Sequence, residues 1–419
     1  MGEHYLGARG STKCLPRWWS AMGRFNLATD DEIRSGRTSD IYYLTTKEVL
    51  EAKGIDKRVT AEVTVGKLPG AWGWGVFCGL DEVVHLYEGL PVDVYSLEEG
   101  TVFPAKDRRG FRLPLLSVVG KYGDFVSVET ATVGLLCQAS GVATSAARVK
   151  LAAKGKTVFA FGIRRMHPGL APMLDRSAYV GGFDGVSGVA GAKLLGIEPT
   201  GTMPHPMILM FGDQKAAWKA FHEVVPRKVP RIALVDTICD EKFESLMAAE
   251  TMGKSLYGVR LDTPGSRRGD FLEIVREVRW ELDARGHHDV KIFVSGGLNE
   301  ESVSRLAEGP VDGFGVGTSV SNAPTIDYSM DLVEIGGKPT SKRGKYGGRK
   351  QTWRCKKCRS WEVTLFVDGD VQRRCGSCGA GMEPMLKKVV TGGKVKLPLP
   401  KASEVRDYVL SQLGAYNLG

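Results

Sequence analysis

Between residues 157 and 320, five apolar runs each end in polar side chains or glycine. Their tips are Arg164, Arg165 and His167; Asp236 and Thr237; Arg260, Asp262 and Thr263; Ser295, Gly296 and Gly297; and Gly317 and Thr318. In FAFGIRRMHP (159–168) an apolar run discharges three cations at once. An isolated buried cation is costly, so such a cluster meets an anion or reaches water. VSGGLNEE (294–301) and FGVGTSVS (314–321) add a second signal. Glycine lets backbone N–H groups approach a phosphate, and a following helix start adds its positive dipole end. One such junction could be a tight turn alone. Two in tandem, with the hydroxyls of Thr318 and Ser319, point to a phosphomonoester site.

A different chemistry sits in Cys355, Cys358, Cys375 and Cys378, spaced C-x2-C-x16-C-x2-C. This spacing reads as a zinc ribbon. Four thiolates close a tetrahedral site and leave no open position, so the Zn2+ would be structural. Cys78, Cys137 and Cys239 lie in apolar segments and read as core thiols.

The elements that must hold the five tips alternate regularly. VFAFGIRR, RIALVDT, LYGVRLDT, VKIFVSGG and GFGVGTSV read as strands. Helices are expected over 182–195, 240–253, 269–285 and 299–308. Such alternation implies a parallel sheet with crossover helices, and serial units of this kind favour a barrel with its chemistry at the carboxyl ends of the strands. Residues 23–130 instead suggest short strands with turns, with helical periodicity only over 81–89 and 125–139. RIALVDTICDEKF resembles the ribose-diphosphate loop of Rossmann-like phosphoribosyltransferases. Here Asp236 stands without a second acid and a helix follows at once, so that fold is rejected and Asp236 is kept as a metal or ribose contact.

The 419 residues are 42% hydrophobic and 25% charged, a soluble globular composition with room for two or three domains. No apolar run reads as a bilayer span and the first residues lack a signal-peptide core, so a cytoplasmic protein is expected. The net charge of +9 suits any anionic ligand. Nine of the twenty residues from Lys338 to Lys357 are Lys or Arg and none is acidic. A run of this kind is usually a solvated face, with nucleic-acid contact the minority reading.

The chain resembles the nicotinate phosphoribosyltransferases of the short form that ends in a cysteine-rich domain. The resemblance rests on SDIYY (39–43), FGIRRMHP (161–168), DRSAYVGGFDGVSG (175–188), GTMPH (201–205), VRLDTPGSRRGD (259–270), SGGL (295–298) and GVGTS (315–319). It implies an α/β fold of the type II phosphoribosyltransferases. The expected parts are an N-terminal extension (1–22), an α/β sandwich domain (23–130, completed by about 321–345), an incomplete TIM-like barrel (131–320) and a zinc-ribbon domain (346–419). The implied reaction joins nicotinate to phosphoribosyl pyrophosphate, giving nicotinate mononucleotide and pyrophosphate, with Mg2+ and coupled ATP hydrolysis. The resemblance further places Tyr42 and Phe161 on the two faces of the nicotinate ring and Thr202 at the substrate. It gives Arg164 and Arg165 the pyrophosphate or carboxylate, and His205 the role of phosphate acceptor from ATP. Arg260 and Asp262 go to the ribose and pyrophosphate, and Gly297 and Thr318 to the 5-phosphate. It also implies a homo-oligomer.

Quinolinate phosphoribosyltransferase is the nearest rival, and would need a pocket for a second carboxylate. Nicotinamide as substrate is a further alternative. From another class, a nucleic-acid-binding protein could be built on the zinc ribbon and the basic run, but it leaves the five tips unexplained.

Overall fold

The computed structural model describes residues 25–369, 371–395 and 399–418. The expected extension over 1–22 lies outside the described residues. An antiparallel seven-stranded sheet runs in the order Lys338–Pro339, Tyr328–Ile335, Arg58–Val65, Pro114–Lys121, Asp93–Ser96, Lys387–Thr391 and Lys394–Val395. RVTAEVTV alternates as a strand must, sending Ala61, Val63 and Val65 into one core with Leu116, Phe103 and Val390. Thr60, Glu62 and Thr64 take the other face, which later chain covers. Tyr328–Ile335, past the last barrel motif, pairs along Arg58–Val65. Lys387–Thr391 pairs with Asp93–Ser96. The residues after the cysteines therefore return to the first sheet, and 346–419 is not a self-contained unit.

The second sheet has six strands in the order Gly185–Val186, Thr157–Ala160, Gly313–Val316, Lys291–Ser295, Gly258–Leu261 and Ile232–Leu234. Every neighbouring pair is parallel. Its strands are apolar on both faces because helices cover one side and the strands' own side chains fill the other. Val275, Val278 and Leu282 recur at helical spacing on Phe271–Ala284 and pack in one core with Val259, Ile292 and Val294. Full burial stabilises each such side chain by about 1.5–3 kcal/mol.

Four local expectations are corrected. The strand through VFAFGIRR ends at Ala160, and Ile163–Arg165 is a 3-10 turn. The expected 182–195 helix is a short strand, Gly185–Val186, followed by a helix over Val189–Leu195. The helix expected over 125–139 runs from Glu129 to Ala152, with Ala139–Val149 buried on every side. Together with the turns before it, this stretch (122–152) is long and apolar enough to cross a membrane, contrary to the sequence reading. More than half of that window is buried inside the fold, the ordinary state of a core helix.

The cysteines lie at the turns of a four-stranded antiparallel sheet of Trp361–Leu365, Lys350–Cys355, Gly381–Pro384 and Arg373–Arg374. The basic run leading into it is largely consumed by internal partners. Lys342 and Lys345 both hold the 5%-exposed side chain of Asp331, and Lys350 pairs with buried Glu62 at 2.9 Å. Arg349 is sandwiched between the rings of Tyr95 and Phe366, at 4.2 and 3.7 Å.

Candidate active site

The carboxyl ends of the parallel strands open onto a cavity of about 460 Å³. Phe161, Arg164, Arg165, Thr202, His205, Arg260, Asp262, Ser295, Gly296, Gly297, Gly317 and Thr318 all line it. The chain must turn from each strand into its helix here, so residues far apart in sequence converge. Phe161 lies flat against the neighbouring strand, and a side chain at Gly315 would strike its ring at 2.4 Å. Gly296 and Gly297 take left-handed φ values of 86° and 65°, which fold the backbone back over Asp262.

A chain of polar contacts fixes the acidic side. The Ser295 hydroxyl donates to Asp262 Oδ1 at 2.6 Å, and the Asp262 N–H donates to Asp236 Oδ2 at 2.6 Å. The Thr263 hydroxyl also donates to Asp236 Oδ2. Asp236 Oδ1 lies 3.1 Å from His205 Nε2. Both Asp236 oxygens are thus occupied and its side chain is only 3% exposed. Burial pushes its carboxyl above the usual range. Asp236, expected as a metal or ribose contact, stands behind the cavity with its Oδ1 against His205. His205 Nδ1 is 3.9 Å from Asp262 Oδ2.

His205 is not a loop residue, as its flanking prolines suggest. It opens the helix His205–Phe211, with Pro206 in the first turn, where proline's missing N–H costs nothing. Arg260 donates to the Met203 carbonyl at 3.2 Å, while its Nε is buried without a partner among the described residues. Burial pulls its guanidinium below its ordinary value. Arg164 and Arg165 have no carboxylate within salt-bridge distance among the described residues.

Three further residues singled out in the sequence do not line this cavity. His167 Nδ1 accepts the Gly169 N–H and caps a turn. The Ser319 hydroxyl is spent on the Leu298 carbonyl at 2.7 Å. Tyr42 stands outside the cavity of its own chain, 58% exposed on a helix, Ile41–Ala52, that buries no residue.

Two supporting residues were missed by sequence reading. Glu244, fully buried, accepts the N–H groups of Thr237, Ile238 and Cys239 at 3.2, 2.7 and 2.7 Å, and so fixes the loop after Asp236. Its sequence offers no cue, because an acid in the first turn of a helix is ordinary. Arg268 donates to the Gly296 carbonyl. It lies within the quoted VRLDTPGSRRGD motif, where a basic residue beside a glycine cradle was the available signal. Beneath the Gly162–Arg165 turn, Asp175 is 1% exposed and one of its oxygens has no partner among the described residues. Burial raises its carboxyl to about 6.

In the second centre, the Sγ atoms of Cys355, Cys358, Cys375 and Cys378 lie within 4.8 Å of one another. The Lys357 and Cys358 N–H groups point at Cys355 Sγ, and the Ser377 N–H at Cys375 Sγ, each at 3.4 Å. Such N–H groups favour thiolates. The four sulfurs fit one tetrahedral metal such as zinc, with no fifth group within the cluster.

Residues 40–140 match the model of the N-terminal domain of quinolinate phosphoribosyl transferase, and 142–331 that of its C-terminal domain. Nicotinate phosphoribosyltransferase pncB2 of Mycobacterium tuberculosis is 29% identical over 90% of this chain and 86% of its own. Its pncB1 counterpart is 30% identical over 78% of this chain and 79% of its own. A crystal structure of nicotinate-nucleotide pyrophosphorylase from Pyrococcus furiosus is 51% identical with a TM-score of 0.90, covering 95% of this chain and 100% of that one. Human nicotinic acid phosphoribosyltransferase, at 22% identity and TM-score 0.74 over 90% of this chain and 94% of its own, shares the fold. The shared length on both sides, not one motif, decides the matter: this chain belongs to the nicotinate phosphoribosyltransferase family.

Proposed function

We infer that the protein is a nicotinate phosphoribosyltransferase acting in NAD biosynthesis. The two names among its relatives, a nicotinate phosphoribosyltransferase and a nicotinate-nucleotide pyrophosphorylase, describe one bond made or broken. The observation that carries the reading is a single cavity lined by Asp262, by the Gly296–Gly297 turn, and by Arg164 and Arg165, which have no carboxylate partner among the described residues. The pyridine nitrogen of nicotinate would attack C1 of the ribose as the C1–O bond breaks, and the electron pair leaves with pyrophosphate. Positive charge developing on the ribose faces the Asp262 carboxylate, and the arginines stabilise the departing pyrophosphate. Asp262 Oδ2, unlike either Asp236 oxygen, is available to help hold Mg2+, which would neutralise pyrophosphate charge. The nitrogen carries no proton, so no general base is required.

For ATP coupling, a His205 tautomer with its proton on Nε2 would donate to Asp236 and leave the Nδ1 lone pair toward Asp262 and the cavity. Nδ1 would then accept the γ-phosphoryl group of ATP with loss of ADP, and water would later release phosphate. The six-stranded sheet reads as an incompletely closed barrel, since its edge strands, Gly185–Val186 and Ile232–Leu234, do not pair with each other. The four-cysteine sheet reads as a zinc ribbon. The exposed ring of Tyr42 suits contact with the cavity of a second copy in a homo-oligomer.

The deciding assay supplies nicotinate, nicotinamide or quinolinate with phosphoribosyl pyrophosphate, each with and without ATP. Nicotinate mononucleotide formed fastest from nicotinate, and stimulated by ATP, is expected. Preferred turnover of quinolinate with release of carbon dioxide would replace this reading by its rival.

A further inference from the structure

A second cavity, of about 220 Å³, lies between the seven-stranded sheet and the basic segment after Gly337, and shares no lining residue with the first. Lys106, Arg112, Lys345 and Lys350 line it against only two acids, Glu62 and Asp331. Both acids already have lysine partners, so Lys106 and Arg112 are left without one among the described residues.

The backbone sets these two residues side by side. Lys106 and Arg112 are opposite each other in an isolated antiparallel bridge. The flanking bonds run from Leu113 N–H to the Ala105 carbonyl and from Asp107 N–H to the Phe111 carbonyl. The 106–112 pair is therefore the non-hydrogen-bonded kind, with both side chains on one face and closest together. Like charges placed directly opposite are destabilising. The hairpin cannot easily relieve them, because Asp107 accepts the N–H groups of Arg109 and Phe111 within it and of Val363 from the cysteine-bearing sheet. Thr64, 9% exposed, also lines the cavity and its hydroxyl has no partner among the described residues.

We propose that this cavity is a second, non-catalytic site for a small polyphosphate anion, held by Lys106 and Arg112 with the Thr64 hydroxyl as a further donor. Its volume suits an inorganic anion of the size of pyrophosphate. Two cations carried on paired backbone positions and a buried hydroxyl match several phosphate oxygens better than a single carboxylate. The source is free pyrophosphate or the phosphate tail of a nucleotide. The site stands apart from the catalytic cavity and does not depend on the substrate assigned there.

The test is calorimetric titration of the full-length protein with pyrophosphate and, separately, with ATP. Wild type is expected to show two classes of pyrophosphate site. K106A/R112A should keep only the one that R164A/R165A loses. Without anion the K106A/R112A variant should melt no lower than wild type, since it removes a repulsion, and it should lose most of the pyrophosphate-induced rise in Tm. Lys106→Gln, at an exposed position, should weaken the second class at least tenfold with the fold intact. Binding of ATP at the second class marks a nucleotide tail, and binding of pyrophosphate alone marks the free anion. A K106A/R112A or Lys106→Gln isotherm indistinguishable from wild type overturns the proposal.

Discussion

Arg164 and Arg165 lie on the turn that follows a strand of the parallel sheet, with no acid to meet them among the described residues, whereas the basic run after Gly337 is mostly spent inside its own fold. Lys342, Lys345 and Lys350 sit on Asp331 and Glu62, and Arg349 lies between two rings. In sequence the second group is the more conspicuous, with nine cations in twenty residues. In the fold it is the first group that is available to a ligand. A count of charges locates neither; what matters is whether the chain supplies the partner.

The comparison is sharpest at Lys350. Lys350→Ala leaves the 1%-exposed Glu62 carboxylate without its cation, which costs about 3–5 kcal/mol of stability. Denaturant unfolding should show this loss while kcat/KM of the folded fraction stays near wild type. At the strand tip the pattern should reverse. Arg164→Ala and Arg165→Ala are each expected to lower kcat/KM by about 2–5 kcal/mol of transition-state stabilisation, with little change in Tm. Near wild-type kcat/KM in both variants would reduce these arginines to a solvated turn.

Asp175 supplies a smaller effect with a defined pH window. Folding raises its carboxyl to about 6, above the unfolded value near 4. The folded chain therefore keeps a proton that the unfolded chain releases, and stability falls as pH rises from about 4 to about 6. Asp175→Asn should match wild type below pH 4 and exceed it by about 3 kcal/mol at pH 8, read from unfolding curves at both pH values. A wild-type protein whose stability rises across that window would contradict the assignment. The smallest expected change is Arg349→Met, which removes the cation from between Tyr95 and Phe366 at a cost of about 1 kcal/mol and leaves activity unaltered.

What the sequence made legible, and what it hid, follows from burial. The cysteine spacing and the alternating strands of 157–316 are local signals, and they survive in the fold. Ile41–Ala52 was missed because a helix that buries nothing carries no apolar stripe. The second half of Glu129–Ala152 was missed for the opposite reason. Small residues buried on all sides leave no polar face to set the period. His205 was legible as a motif, but its orientation depends on Asp236, thirty-one positions away, and no spacing rule links them.

The order of strands in the first sheet bears on how the chain is made. Arg58–Val65 leaves the ribosome early, yet its edge partner Tyr328–Ile335 is synthesised only after the entire parallel sheet. At ordinary rates of translation that delay is on the order of tens of seconds. Throughout it, one edge of a strand rich in valine and threonine has no neighbour, a state in which nascent chains pair with the wrong partner. The parallel sheet draws all its strands from 157–316 and can close in the interval. Chaperone demand during synthesis should therefore fall on the first domain, and a chain halted before residue 328 should hold a finished second sheet beside an unfinished first one.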